Sequence, residues 1–129
     1  MTTDHRPRVL IVEDDLACRI LTALLLERAG YVPTAVATVS RALERLEHEG
    51  ADLVLTDLQL PGESGLDLLL ALREGRSTTP VVVMTGSDDP ELIARALKLG
   101  ATSVLPKPYS TEWLHAAVGS ALEGLPAVA

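Results

Sequence analysis

The feature that most constrains this chain is a regular alternation of short aliphatic runs with longer stretches of helical periodicity. Val9-Leu10-Ile11-Val12, Leu53-Val54-Leu55-Thr56 and Val81-Val82-Val83-Met84 are too short for helices and too uniformly apolar for strands with one wet face. Weaker runs occur from Tyr31 to Val36 and from Ser103 to Leu105. Strands of this kind are buried on both faces, as in a parallel sheet covered by helices. Amphipathic helices are expected between and after them, at about 15–29, 38–49, 64–74, 89–99 and 110–122. Five βα units with right-handed crossovers make an open, doubly wound α/β sheet with helices on both faces. A closed barrel of eight such units takes about 250 residues, and this chain has 129. That length fits one domain, expected over 1–129 with its core at about 8–122 and short flexible tails at both ends.

The punctuation between elements agrees with this layout. Gly30, Gly50, Gly75 and Gly100 stand at or just past the expected helix ends, where a left-handed cap favours a residue without Cβ. Asp15, Thr38, Ser64, Asp89 followed by Pro90, and Ser110 can cap the free amides at helix starts. In the last helix, Trp113, Leu114, Ala117, Val118, Ala121 and Leu122 are expected to form one buried stripe. For a five-stranded sheet of this type the flavodoxin-like order 2-1-3-4-5 is expected, with ligands outside the carboxyl ends of the strands, between the first and third.

Charge and composition then remove several classes of function. The 11 Lys+Arg against 18 Asp+Glu give a net charge of -7, which repels nucleic-acid backbones and anionic lipid surfaces. Tyr31, Tyr109 and Trp113 are the only aromatic residues, so no stacking platform for bases exists. The single cysteine, Cys18, excludes an internal disulfide, suits a reducing cytosol, and reads as a small apolar helix residue. No signal-peptide core and no apolar run near the ~20 residues of a membrane span occurs, so a cytoplasmic protein is expected.

The strand ends carry the chemistry. Glu13-Asp14-Asp15 follows the first strand and Asp57 ends the third, its neighbour in the expected order. Carboxylates gathered at one edge repel unless a cation sits among them, and Mg2+ suits a few hard oxygen ligands with phosphate nearby. Asp15 taken alone reads better as a helix cap. The fourth strand brings Thr85-Gly86-Ser87 to the same edge, and the fifth brings Pro106-Lys107-Pro108. Each of these is weak alone, since most strand-end lysines are solvated surface. Together they suit a carboxylate that attacks a phosphoryl group while a lysine and a hydroxyl hold its oxygens.

With these residues in order, the chain resembles the receiver domains of bacterial two-component response regulators, over about residues 8–122. The motifs are Val12-Glu13-Asp14-Asp15, Thr56-Asp57-Leu58-Gln59-Leu60-Pro61-Gly62, Met84-Thr85-Gly86 and Pro106-Lys107-Pro108. The resemblance implies that Asp57 is the phosphoacceptor, Asp14 a direct Mg2+ ligand, Glu13 an indirect one through water, and Gln59 a ligand through its carbonyl. It implies that Thr85 is the switch hydroxyl, Lys107 the phosphate-binding lysine, and the Lys107-Pro108 bond cis. The implied donor is a sensor histidine kinase or a histidine phosphotransfer protein. The implied catalysis is limited to the domain's own phosphorylation and dephosphorylation, and phosphorylation-dependent dimerisation is open to such a domain. Gln59 and Ser87 are expected to affect how fast water reaches the phosphate.

One departure stands out: the family's switch ring, three residues before the lysine, is replaced here by Val104. Valine also packs well on an edge strand. Three other readings compete. A haloacid dehalogenase-type phosphatase needs a second acid where Gln59 stands, and a flavin carrier needs hydroxyls where the chain has Glu13-Asp14-Asp15. A degenerate receiver, acting only as a protein-binding module, conflicts with the presence of Asp14, Asp57, Thr85 and Lys107 together. His5, His48 and His115 fit no phosphohistidine or metal role, and the charges around Arg41-Glu44-Arg45-Glu47 and Arg73-Glu74 read as solvated surface. No output module follows in this sequence, so the downstream partner is either separate or fused beyond it.

Overall fold

The computed structural model describes residues 6–124; residues 1–5, with His5, and 125–129 of the expected tails lie outside them. The elements in order are β1 (Arg8–Val12), α1 (Leu16–Arg28), β2 (Val32–Val36), α2 (Val39–His48), β3 (Leu53–Asp57), β4 (Gln59–Leu60), β5 (Glu63–Ser64), α3 (Gly65–Glu74), β6 (Val81–Thr85), α4 (Pro90–Lys98), β7 (Ser103–Pro106) and α5 (Thr111–Leu122). The main sheet is parallel, in the order β2-β1-β3-β6-β7. Leaving aside the two-residue strands β4 and β5, this is the expected 2-1-3-4-5 order. The fold is that of a flavodoxin-like doubly wound sheet.

Alternation along the central strands explains why their sequences are apolar throughout. Leu10, Val12, Val54, Val81 and Val83 face one way, into a core shared with Ala42 of α2, Leu69 of α3 and Ala96 of α4. Val9, Ile11, Leu53, Leu55, Val82 and Met84 face the other, packing on Leu26 of α1 and Leu114 and Val118 of α5. Each strand thus serves two cores.

All five expected N-caps are in place: Asp15, Thr38, Ser64, Asp89 and Ser110 each accept a backbone N–H of the first turn. Because the cap lies outside the helix, every helix starts one residue later than expected. Four expectations need correction. Gly75 has φ -80° and Arg76 takes the left-handed position at φ 60°, so that helix ends without using its glycine's freedom. Trp113 is 50% exposed. Leu114, Ala117, Val118 and Ala121 fill the buried arc, and at ~100° per residue Trp113 falls on its flank. Cys18 is exposed, in the groove that α1 forms with Lys107 and Tyr109. Arg73, expected as solvated surface, is half-buried and donates to the carbonyls of Ser77 (2.7 Å) and Gly100 (3.0 Å). The antiparallel β4–β5 pair was not expected either; it closes the turn at Pro61-Gly62, where Gly62 has φ +71°. Among the described residues no helix is long and apolar enough to cross a membrane.

Candidate functional site

The parallel register sets Val12 beside Thr56, Asp57 beside Met84, and Thr85 beside Pro106, so the strands end on one rim. The peptide N–H of Glu13 donates to the Val36 carbonyl at 3.0 Å, extending β1 by one bond beyond its last paired residue. Glu13 is thereby held inside, 1% exposed, while Asp14 is exposed. Asp15 is used as the α1 cap, accepting from the Cys18 N–H at 2.8 Å. Arg19, one turn further on, donates to the carbonyls of Glu13 (2.8 Å) and Asp14 (3.1 Å), fixing the backbone that presents both acids.

Asp57 is 6% exposed at the end of β3. Its Oδ1 accepts from the Gln59 N–H at 3.0 Å and its Oδ2 from Lys107 Nζ at 2.7 Å. Lys107 Nζ also donates to Glu13 Oε1 at 2.6 Å, so one ammonium bridges acids from two neighbouring strands. Burial by itself would lower the lysine's pKa, but the hydrogen bonds to Asp57 and Glu13 outweigh it and hold the ammonium pKa above its usual value. Burial pushes the Glu13 carboxyl up, with Lys107 opposing it. Below Asp57 the backbone comes very close to α3: a Cβ on Gly65 would stand 2.4 Å from the Asp57 carbonyl oxygen, so only glycine fits.

Carboxylate oxygens of Glu13, Asp14 and Asp57 lie within 4.8 Å of one another. Three hard oxygen donors, two buried and one open to water, are a donor set suited to a small divalent cation that keeps part of its hydration shell. Gln59 is exposed beside them, fixed through its backbone. Thr85 is 1% exposed, and its Oγ1 accepts from the Ser87 N–H at 3.0 Å. The Lys107 N–H donates to the Thr85 carbonyl at 2.7 Å, and the Lys107-Pro108 bond is cis as expected. Val104 packs against the core on the α4 side of the sheet.

The rim thus brings together Glu13, Asp14, Asp57, Gln59, Thr85 and Lys107, leaving Asp15 to its helix and placing neither His48 nor His115 in the acidic cluster. Sequence reasoning missed Arg19, because it bonds backbone carbonyls, for which side-chain spacing carries no signal. It also missed Glu63, whose carboxylate accepts from the Val39 N–H at 2.7 Å and ties the turn after Asp57 to α2.

The family model described as the response regulator receiver domain matches residues 9–119. The sensory transduction protein RegX3 of Mycolicibacterium smegmatis is 41% identical over 114 residues, 88% of this chain and 50% of that protein. The transcriptional regulatory protein FixJ of Bradyrhizobium diazoefficiens is 33% identical, covering 95% of this chain and 58% of its own. The chain therefore spans about half the length of these relatives. Among solved structures, a CheY-like receiver domain protein from Methanospirillum hungatei JF-1 superposes with a TM-score of 0.87 at 30% identity, covering 92% of this chain and 95% of that one. The chemotaxis response regulator CheY4 of Vibrio cholerae gives 0.83 at 26% identity, covering 90% and 98%.

Proposed function

The chain belongs to the response regulator receiver domain family, and from that premise we propose that it accepts a phosphoryl group on Asp57 and changes conformation in response. The observation that carries this reading is the Lys107 ammonium bridging Asp57 and Glu13 beside a third carboxylate. Such a cluster suits transfer chemistry better than structural support, because its closest charge partners are one another, with one Asp57 oxygen also accepting the Gln59 N–H. A bound Mg2+, held by Asp14, Asp57, the Gln59 carbonyl and, through water, Glu13, would neutralise the phosphoryl oxygens. The Asp57 Oδ forms the new O–P bond as the N–P bond of a phosphohistidine donor breaks, and that bond's electron pair stays on the imidazole nitrogen. Lys107 then turns its ammonium from the free carboxylate toward a phosphoryl oxygen. The Thr85 hydroxyl reaches another, and its displacement carries the signal into β6 and α4.

The donor is a sensor histidine kinase or a histidine phosphotransfer protein, in the cytoplasm. Catalysis is confined to the domain's own phosphorylation and dephosphorylation, and the domain itself binds neither nucleic acid nor membrane. The output partner is separate or fused beyond this sequence, and a phosphorylation-dependent dimer fits the same reading. Gln59 and Ser87 line the water's approach to the phosphate and set its lifetime. With Val104 in place of a ring, the switch acts through Thr85 and the β6–α4 loop. A degenerate, purely protein-binding module would leave the Lys107 bridge without a use.

Acetyl phosphate with Mg2+ tests this. The expected result is a single phosphate adduct by intact mass, lost without Mg2+ and lost in Asp57→Ala. An adduct that survives Asp57→Ala, or none in the wild-type protein, overturns the proposal.

A further inference from the structure

Lys107 reaches Glu13 and Asp57 from a loop, and a loop holds a flexible side chain in place only if its own backbone is fixed on both sides. On one side the Lys107 N–H is bonded to the Thr85 carbonyl. On the other side stands Tyr109, half-buried, its ring packed against the core beneath α1 and α5. Its hydroxyl lies 2.8 Å from Thr22 Oγ1. Thr22 is 2% exposed on the inner face of α1. This helix begins at the Asp15 cap and, through Arg19, also holds the backbone of Glu13 and Asp14. The Thr22–Tyr109 bond therefore links the element that presents the acids to the loop that presents the lysine, across 87 residues of sequence.

Simple packing does not account for the pair. A phenylalanine would fill the same space, and a buried helical threonine would ordinarily return its hydroxyl to the preceding turn. The surroundings include Leu21 and Leu25, which with Pro108 line an open apolar groove of about 460 Å³. Thr22 itself is shielded from water at the base of this groove, and there a hydrogen bond is electrostatically stronger than in water and a lone hydroxyl is costly.

We propose that Thr22 and Tyr109 form a positioning pair that locks the Lys107 loop onto α1, so that the ammonium stays over Asp57 both before and after the phosphoryl group arrives. The functional part of this statement rests on the receiver reading above; the positioning of Lys107 in the metal-free protein does not. The pair touches neither phosphate nor metal.

Two readouts on Tyr109→Phe, Thr22→Val, the double variant and Thr22→Ser test it. The first is hydrogen exchange of the Lys107 ammonium by nitrogen-15 NMR without Mg2+. The second is the rate of adduct formation with acetyl phosphate at saturating Mg2+, with thermal unfolding followed in parallel. Loss of one neutral hydrogen bond should speed exchange and slow phosphorylation by about fivefold in each single variant. The double variant should be no worse than the worse single one, and Thr22→Ser should behave as wild type. Wild-type exchange in both single variants, or losses that multiply in the double variant, overturn the pair. If the wild-type protein forms no adduct at Asp57, the receiver reading fails while the exchange measurement still decides the positioning.

Discussion

The two rims of the sheet both carry charged groups, and their key groups are used in opposite ways. At the carboxyl rim, Glu13, Asp57 and Lys107 are satisfied mainly by one another. At the amino rim, a larger open depression of about 1140 Å³ is bordered by Arg8, Asp52 and Arg73. Yet Arg73 is committed to the carbonyls of Ser77, Thr79 and Gly100, and the Asp52 carboxylate to the Arg8 N–H. Each rim also has a glycine beneath its key group. A Cβ on Gly65 would strike the Asp57 carbonyl, and one on Gly100 would stand 2.6 Å from Arg73 Nε. The lesson is that cavity size does not locate function here. A charge spent on several backbone groups cannot leave without orphaning them, whereas charges that hold mainly each other can be exchanged for a ligand's.

The contrast can be broken by exchanging which rim is damaged. Lys107→Ala should slow acetyl phosphate labelling of Asp57 by about 10²-fold, the usual loss for one preorganised charge at a developing phosphoryl transition state, read by intact mass. Arg73→Ala should leave that rate within about twofold but cost about 1–2 kcal/mol in urea unfolding, because carbonyls only partly shielded from water lose a charged donor. If Arg73→Ala impairs labelling as much as Lys107→Ala, the division between the rims is wrong. The glycines sharpen the same point. Gly100→Ala, forced into φ +99°, should cost about 1–3 kcal/mol with labelling intact. Gly65→Ala should displace the Asp57 backbone and weaken both stability and Mg2+-dependent labelling.

The smallest expected effect concerns Cys18, the thiol on the carboxyl rim. The hydrogen bond with Asp15 raises its pKa above the usual thiol value. A raised pKa means less thiolate at any pH below it, so Cys18 should react with iodoacetamide more slowly than a free thiol near pH 8. Asp15→Asn, which keeps a capping oxygen, should bring the rate up. Equal rates in the two proteins would show that the rim's one thiol is not restrained by its cap.

Much of this architecture was legible in the sequence, for identifiable reasons. The five parallel strands could be read because burial on both faces demands apolar residues without a break, and the helix starts because capping needs a side-chain oxygen at one position. The convergence of Glu13, Asp14, Asp57, Thr85 and Lys107 followed from strand order, which brings distant strand ends to one rim without any side-chain detail. The failures share a different cause. Trp113 lies in a stripe whose spacing is right, but the width of the arc that the sheet covers is not written in the helix. Arg73 reads as surface charge, and only the approach of the chain at Gly100, 27 residues on, turns it into a backbone clamp. The left-handed residue after α3 is Arg76 although a glycine stands beside it, because the helix runs on through Gly75 as its cap.

The sequence by itself determined what depends on local geometry and periodicity: the elements, their caps, the parallel sheet and the list of residues at its carboxyl rim. Tertiary structure alone decided how those residues are joined. That Lys107 bridges Glu13 and Asp57, that Arg19 fixes the acidic loop, and that Tyr109 meets Thr22 are matters of contacts between strands and helices far apart in the chain. Hydrogen bonds form only within a limited range of distance and angle, so these pairings are set by the packing of helices on the sheet, which no local pattern encodes.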